Sequence, residues 1–324
     1  MSPHFANRSR PLRIALLCAA LGGLTPVIAG AAPFAYVPNE KSGTVSVIDT
    51  ANDQVVLTLK PSERPRGIAV GADGKHLFLT NAPTESVVVL ALPGGNKVAD
   101  WKVGESPEGT YASADGRYLS VAVEEEDKVA LLDATTGVIL AKIAVKGENP
   151  EHAVFSPDSR WLYASAEDAE QVDVIDVASR KQVAQIPVGK RPRGIGFTPD
   201  GSRAYVACEL ANTVYAIDVA SHAVIAKIPV GNFSNGIAIR PDGKRVFVSN
   251  GRDGTVMAID TASNTMIATI PVGKRPWNMA ITPDGKKLYV ANGRSNTVSV
   301  IDTEKLVRLG EVEVGELPWG VQIR

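Results

Sequence analysis

Cysteine and histidine are scarce in this sequence. Its 324 residues include two cysteines and four histidines. Cys18 sits in an apolar stretch near the N-terminus, so Cys208 has no partner in the rest of the chain and an internal disulfide is excluded there. His76, His152 and His222 are too few and too scattered to make a zinc set. No CxxCH for covalent haem occurs, and no GxSxG, HExxH or Walker-type loop. No catalytic set, metal or cofactor is therefore expected. No apolar run is long enough to cross a bilayer. No stretch carries a sustained helical period of apolar residues, which argues against a helical fold.

The N-terminus has the pattern of a secretory leader. Arg8, Arg10 and Arg13 precede an apolar run from Ile14 to about Leu24, and Ala29-Gly30-Ala31 offers small residues for cleavage. The leader is assigned to residues 1–31 and one domain to 32–324, which predicts a periplasmic or secreted product with no membrane span after cleavage. Without the leader, Lys and Arg fall from 34 to 31 while Asp and Glu stay at 35, a formal charge of −4. A mildly acidic chain is a poor general binder of nucleic acid, because that affinity rests on neutralising phosphates. With no disulfide, stability must come from the core, and a chain of this length is ample for one.

What the sequence has is repetition. Asp49, Asp133, Asp176, Asp218, Asp260 and Asp302, with Ala91 in the missing slot, recur every 42 or 43 residues. Gly67, Gly109, His152, Gly194, Gly236, Asn278 and Gly320 keep the same step. Seven copies at this period match propeller blades. One copy shows four short runs, Gly194–Phe197, Ala204–Ala207, Thr213–Asp218 and Val224–Pro229, rich in Val, Ile and Tyr and separated by turn residues. Four antiparallel strands of even spacing make a blade. The last copy stops after one strand, Trp319–Arg324, and the first lacks its first strand. The fold expected is an all-β, seven-bladed propeller, its ring closed by pairing the C-terminal strand with the N-terminal blade.

The words "YVPN" at Tyr36, "FVSN" at Phe247 and "YVAN" at Tyr289, each followed by "TVxxID", resemble the YVTN family of β-propeller repeats. The likeness covers Phe34 to Arg324 and implies the fold more than a function. "NEKSGTVSVIDT", "RPRGIAV" and "PWGV" also resemble a bacterial subgroup of periplasmic propellers associated with PQQ-dependent alcohol catabolism. That resemblance implies an accessory role beside a quinoprotein oxidation or transport system.

Two sets of turns behave differently. Asp73-Gly74, Asp115-Gly116, Asp200-Gly201, Asp242-Gly243 and Asp284-Gly285 repeat almost verbatim, so one rim reads as architecture. The slot before the glycine ruler instead changes from blade to blade: Arg66, Glu108, Glu151, Arg193, Asn235, Trp277, Trp319. These residues are expected to ring the mouth of the central channel and, with His152, to bind a protein partner or a small anionic ligand. Tryptophan and arginine are typical interface anchors. The plainer reading is that the arginines bridge neighbouring blades. Glu151 and His152 are the candidates at the mouth for metal or acid–base chemistry, and a metal-binding ring of the ruler aspartates is the alternative to their turn role on the other rim. Cys208 is expected to be a small buried residue.

The sequence favours a monomeric, non-enzymatic binding module. A propeller enzyme of lactonase type or a quinoprotein dehydrogenase subunit stays open, because fold alone does not decide activity. Single-stranded nucleic-acid binding by the Arg/Trp ring is a minority reading against the negative charge.

Overall fold

The computed structural model describes Met1 and residues 33–324, so residues 2–32, and with them the body of the expected leader, lie outside the described residues. Seven four-stranded antiparallel sheets follow one another along the chain. The first blade holds β1 (Phe34–Asn39), β2 (Thr44–Asp49) and β3 (Gln54–Leu59), with β28 (Gln322–Ile323) as its innermost strand. The second to seventh blades begin at Pro65, Pro107, Pro150, Pro192, Ser234 and Pro276, each with its first strand innermost. In the fifth blade the strands are Pro192–Phe197, Arg203–Cys208, Thr213–Asp218 and Ala223–Pro229; the third matches its sequence run and the other three are one or two residues longer. No helix among the described residues is long and apolar enough to cross a membrane.

Burial follows strand position. The second and third strands are sandwiched between neighbouring sheets and read as nearly continuous buried runs. The fourth strand lies at the periphery and alternates exposed and half-buried residues. The core is thus a series of layers between blades. One layer joins Phe78, Val87 and Val89 of the second blade to Leu119, Val121 and Leu132 of the third. Another joins Val37 and Ile48 of the first blade to Tyr289, Val298 and Val300 of the seventh.

Turn chemistry sets the constant rim. Gly74, Gly116, Gly201, Gly243 and Gly285 all have φ near +70°, the left-handed region that glycine reaches without steric cost. The aspartate before each accepts the backbone N–H two residues on, at 2.8 Å for Asp73 and 3.1 Å for Asp115. The six ruler aspartates accept a backbone N–H two or three residues on in the next turn, as Asp176 does from Ser179 N–H at 2.7 Å.

The ring closes through the C-terminus. Ala35 pairs with Ile323 and Tyr36 with Gln322. Trp319 N–H donates to Pro38 O at 2.9 Å, and Phe34 and Arg324 exchange backbone bonds at 2.9 and 3.0 Å. Val321 enters the layer between the first and seventh blades. Deleting Trp319–Arg324 would expose β1 as an edge and leave that layer incomplete. We expect the truncated protein to lose its cooperative thermal transition or to aggregate. An unchanged calorimetric melt would refute closure as the source of stability.

Candidate functional site

A break in strand pairing sets the site at each blade. The innermost strand pairs with its neighbour at Pro65, loses register, and resumes at Ile68. The same shift falls between Pro107 and Thr110, Pro150 and His152, Pro192 and Ile195, Ser234 and Ile237, and Pro276 and Met279. Such bulges re-aim side chains. Here they turn the variable slot toward the channel. Arg66, Glu151, Arg193, Asn235, Trp277 and Trp319 line one cavity of 70 Å³, together with Arg275 and Asn278. Glu108 lies behind it, on Arg66.

The ring is recessed rather than displayed. Glu108 and His152 are 0% exposed, Glu151 and Asn235 5%, and Trp319 6%. Trp277 is half-buried and lies against Gly293. The Trp319 ring packs 5.7 Å from His152, and the Arg66 guanidinium lies 6.0 Å from it.

Ion pairs fill the mouth. Arg193 reaches Glu151 at 2.5 Å, Glu167 at 3.1 Å and Glu209 at 3.3 Å. Arg191 also contacts Glu167, and lies 3.4 Å from Glu209. Arg275 of the seventh blade passes over Gly251 of the sixth to reach Glu209 of the fifth at 2.9 Å. Arg66 pairs with Glu108 and sits 3.7 Å from Glu40, which Arg64 contacts at 2.6 Å. The arginines therefore do bridge blades. Glu40 and Glu209 were not singled out from the sequence. Both occupy the slot just after the second strand, which reads Glu40, Ala82, Glu124, Glu167, Glu209, Gly251, Gly293 in the same 42–43-residue step. Aligning that slot would have found them.

Glu151 and His152 turn to different partners. Glu151 turns to Arg193, while His152 Nδ1 lies 2.6 Å from the Tyr111 hydroxyl. Burial lowers the His152 pKa to about 4, so the ring is neutral at neutral pH, and its Nε2 has no hydrogen-bond partner among the described residues. Burial would raise Glu151, but Arg193, then His152 and Arg66, hold it below its ordinary value. Burial raises Glu167 to about 7. Burial, and next the charge of Glu151, push Glu108 up to about 9 against the pull of Arg66. Glu124, Glu151 and Glu167 each offer one ligand oxygen within 4.8 Å of the others, an arrangement that could hold a metal ion. Arg193 already contacts two of the three and competes for them. Cys208 is fully buried, and burial pushes its thiol up to about 12, so it is no nucleophile.

Fold and site together define a seven-bladed β-propeller with a polar, ion-paired channel mouth. The family model described as lactonase, 7-bladed beta-propeller, matches residues 176–316, and the one described as YNCE-like beta-propeller matches residues 96–245. No curated protein matches the chain. Among solved structures, the Kuenenia stuttgartiensis hydrazine synthase superposes with a TM-score of 0.76 at 24% identity, over 83% of this chain and 92% of that one. A functionally unknown protein from Desulfotomaculum acetoxidans DSM 771 superposes with a TM-score of 0.79 at 17% identity, over 90% of this chain and 98% of that one. At these identities the likeness is one of fold.

Two predictions follow from the ion pairs. Glu209 is fully buried among three guanidinium groups. Glu209→Ala should destabilise the protein by roughly 3 kcal/mol in denaturant unfolding, because it strands buried positive charge. A loss below about 1 kcal/mol would show the pairs to be solvent-screened. The second concerns pH. A folded-state pKa raised above the ordinary value of 4.5 means that folded Glu108 keeps a proton that the unfolded chain releases. Stability is then lost as pH rises from about 4.5 through about 9. Glu108→Gln should melt higher than the parent at pH 8, and the two should converge near pH 4.5. A melting gap independent of pH would contradict this.

Proposed function

We propose that this chain is an exported, non-enzymatic binding module whose channel mouth receives a polar side chain projecting from a protein partner. One observation carries the reading. A single slot, repeated in seven blades, holds arginine, glutamate, asparagine and tryptophan in turn, and six of those seven residues line one cavity. The opposite rim repeats the same aspartate turn in blade after blade. A structural role alone would tolerate repetition at the mouth as well.

The size of the cavity narrows the ligand. At 70 Å³ it is far below the roughly 300–1,000 Å³ of small-molecule sites. It admits one head group, not a cofactor. The rest of the partner would rest on the surrounding loops, where Glu124–Glu126 and Asp168 offer negative charge. The resemblance to propellers of PQQ-dependent alcohol catabolism supports a place beside a periplasmic quinoprotein system. A second reading, lactone hydrolysis, is favoured by the lactonase match. That match spans residues 176–316 and does not include Glu108, Glu124, Glu151, His152 or Glu167.

The test is affinity capture from the periplasm of the source organism, with quantitation of bound proteins, beside a lactone-hydrolysis panel. Trp277→Ala and Arg66→Ala should each weaken capture of one partner by about 2 kcal/mol, near 30-fold, while Asp200→Ala retains it. Lactone turnover should stay at background. Loss of capture in a folded Asp200→Ala protein alone, or turnover abolished by Glu151→Gln, would overturn the reading.

A further inference from the structure

The loop rim carries a second concave feature, between the sixth and seventh blades. It is a groove of 760 Å³, within the range of small-molecule sites. Its walls bring Arg252, Lys274, Arg275 and Arg294 together against two acids, Asp253 and Glu311. Both acids are engaged. Asp253 accepts the backbone N–H of Asn232 at 2.7 Å and its side-chain amide at 2.9 Å. Glu311 accepts from Arg308 at 3.0 Å and from Ser299 at 3.3 Å. Of the four cations, Arg275 is paired with Glu209 at 2.9 Å. Among the described residues, Arg252, Lys274 and Arg294 have no carboxylate within 4.0 Å. Three unpaired positive charges therefore share one cleft.

The cleft is also held in shape. Lys274 N–H donates to Ser295 Oγ at 2.7 Å, and Arg294 N–H to Lys274 O at 3.1 Å. Arg252 N–H donates to Asn232 O at 3.2 Å. Phe233 forms one apolar side, with the Arg252 and Arg275 guanidinium groups 5.4 and 5.3 Å from its ring. Stacking of this kind limits where a guanidinium can point.

Comparison with the other blades shows that the gathering is local. The slot of Arg252 and Arg294 holds Lys41, Pro83, Glu125, Asp168 and Leu210 elsewhere. The slot of Lys274 holds Glu63, Glu105, Glu148, Lys190, Asn232 and Glu316. Where a cation recurs in the first slot, as Lys41, Glu316 neutralises it at 3.0 Å. At the sixth and seventh blades no acid does so, and the cost of like charges side by side is left for a ligand to offset.

We propose that this groove binds a small organic dianion, a phosphate monoester or a dicarboxylate, through Arg252, Lys274 and Arg294, with its organic part against Phe233. Guanidinium groups suit both anions because they donate two parallel hydrogen bonds. The groove shares Arg275 with the channel mouth, but the three unpaired cations that would hold the anion line only the groove.

The experiment is isothermal titration of the full chain at low ionic strength with phenyl phosphate, phthalate and, as neutral control, benzyl alcohol. At least one dianion should bind with a Kd below about 1 mM, benzyl alcohol should not, and added salt should weaken the binding. Arg294→Ala and Lys274→Ala should each weaken it by roughly ten-fold, since each removes a charge-assisted contact. Asp200→Ala, on the opposite rim, should leave it unchanged. The preferred probe identifies the anion class. Binding of neither dianion, or binding that survives in a double Lys274→Ala, Arg294→Ala protein, would overturn the proposal. These side chains are solvent-facing, and matching melting curves would establish that the variants are folded.

Discussion

The constraint on which the mouth depends is the close approach of neighbouring blades at the glycine ruler. A Cβ built on Gly67 would lie 2.2 Å from the carbonyl oxygen of Glu108, in the next blade. One on Gly109 would meet Glu151 O at 2.8 Å, on Gly194 Asn235 O at 2.5 Å, and on Gly236 Trp277 O at 2.5 Å. The backbone of Glu108, Glu151, Asn235 and Trp277 thus rests against the glycine of the blade before each. Hydroxyls reinforce the contact. Gly67 N–H donates to Thr80 Oγ1, which donates to Glu108 O, both at 2.8 Å. Ser249 links Gly236 N–H to Trp277 O in the same way, at 2.8 and 2.7 Å. These contacts hold the backbone of the variable slot while leaving its side chain free to differ.

The two exceptions to the ruler are informative for the same reason. His152 and Asn278 carry side chains where glycine would fit, and both send them toward the channel. His152 takes up the space beside Gly109 and meets Tyr111 and Trp319. Asn278 lines the mouth cavity beside Trp319. The channel is therefore filled asymmetrically. Six acidic side chains (Glu40, Glu108, Glu124, Glu151, Glu167, Glu209) face five guanidinium groups (Arg64, Arg66, Arg191, Arg193, Arg275), and burial keeps Glu108 protonated at neutral pH, so the charges come near to balance while the pairing stays incomplete. The unpartnered Glu108 Oε2 and His152 Nε2 are its visible remainder. Buried ion pairs of this kind contribute little net stability relative to apolar packing, which the layers between blades already supply.

The fold was legible because its determinants are local and repeated. Turn glycines, strand valines and the ruler aspartates recur in most copies, with Ala91 and Ser159 as exceptions, so seven readings of one blade reinforce one another. The mouth was legible as a set of positions but not as an arrangement. Trp319 looks like an interface anchor by residue type, yet the closing strand carries it inward onto His152. Glu40 and Glu209 lie in loops whose neighbours are ordinary solvated residues, and only the bulged inner strands bring Arg66, Arg193 and Arg275 onto them. Burial of a charged side chain depends on partners from other blades. A single copy of the repeat holds no trace of them.

Charge around the loop rim follows from this independence of copies. Each blade folds by the same rules, so loop residues drift without disturbing the core. Drift alone would scatter charge. Instead Glu105, Glu124, Glu125, Glu126, Glu148 and Asp168 gather on the third and fourth blades, and Arg252, Lys274 and Arg294 on the sixth and seventh. Unlike charge on two sides of the mouth sets up a field across it, to which Glu126 contributes least because Lys128 and Lys142 pair with it. Such a field acts before contact, by turning an approaching molecule whose own charges are unevenly placed. On the reading proposed above, a partner with a basic and an acidic end would arrive in one orientation, its two ends drawn to opposite sectors, and the recess at the centre would then need to recognise only one group.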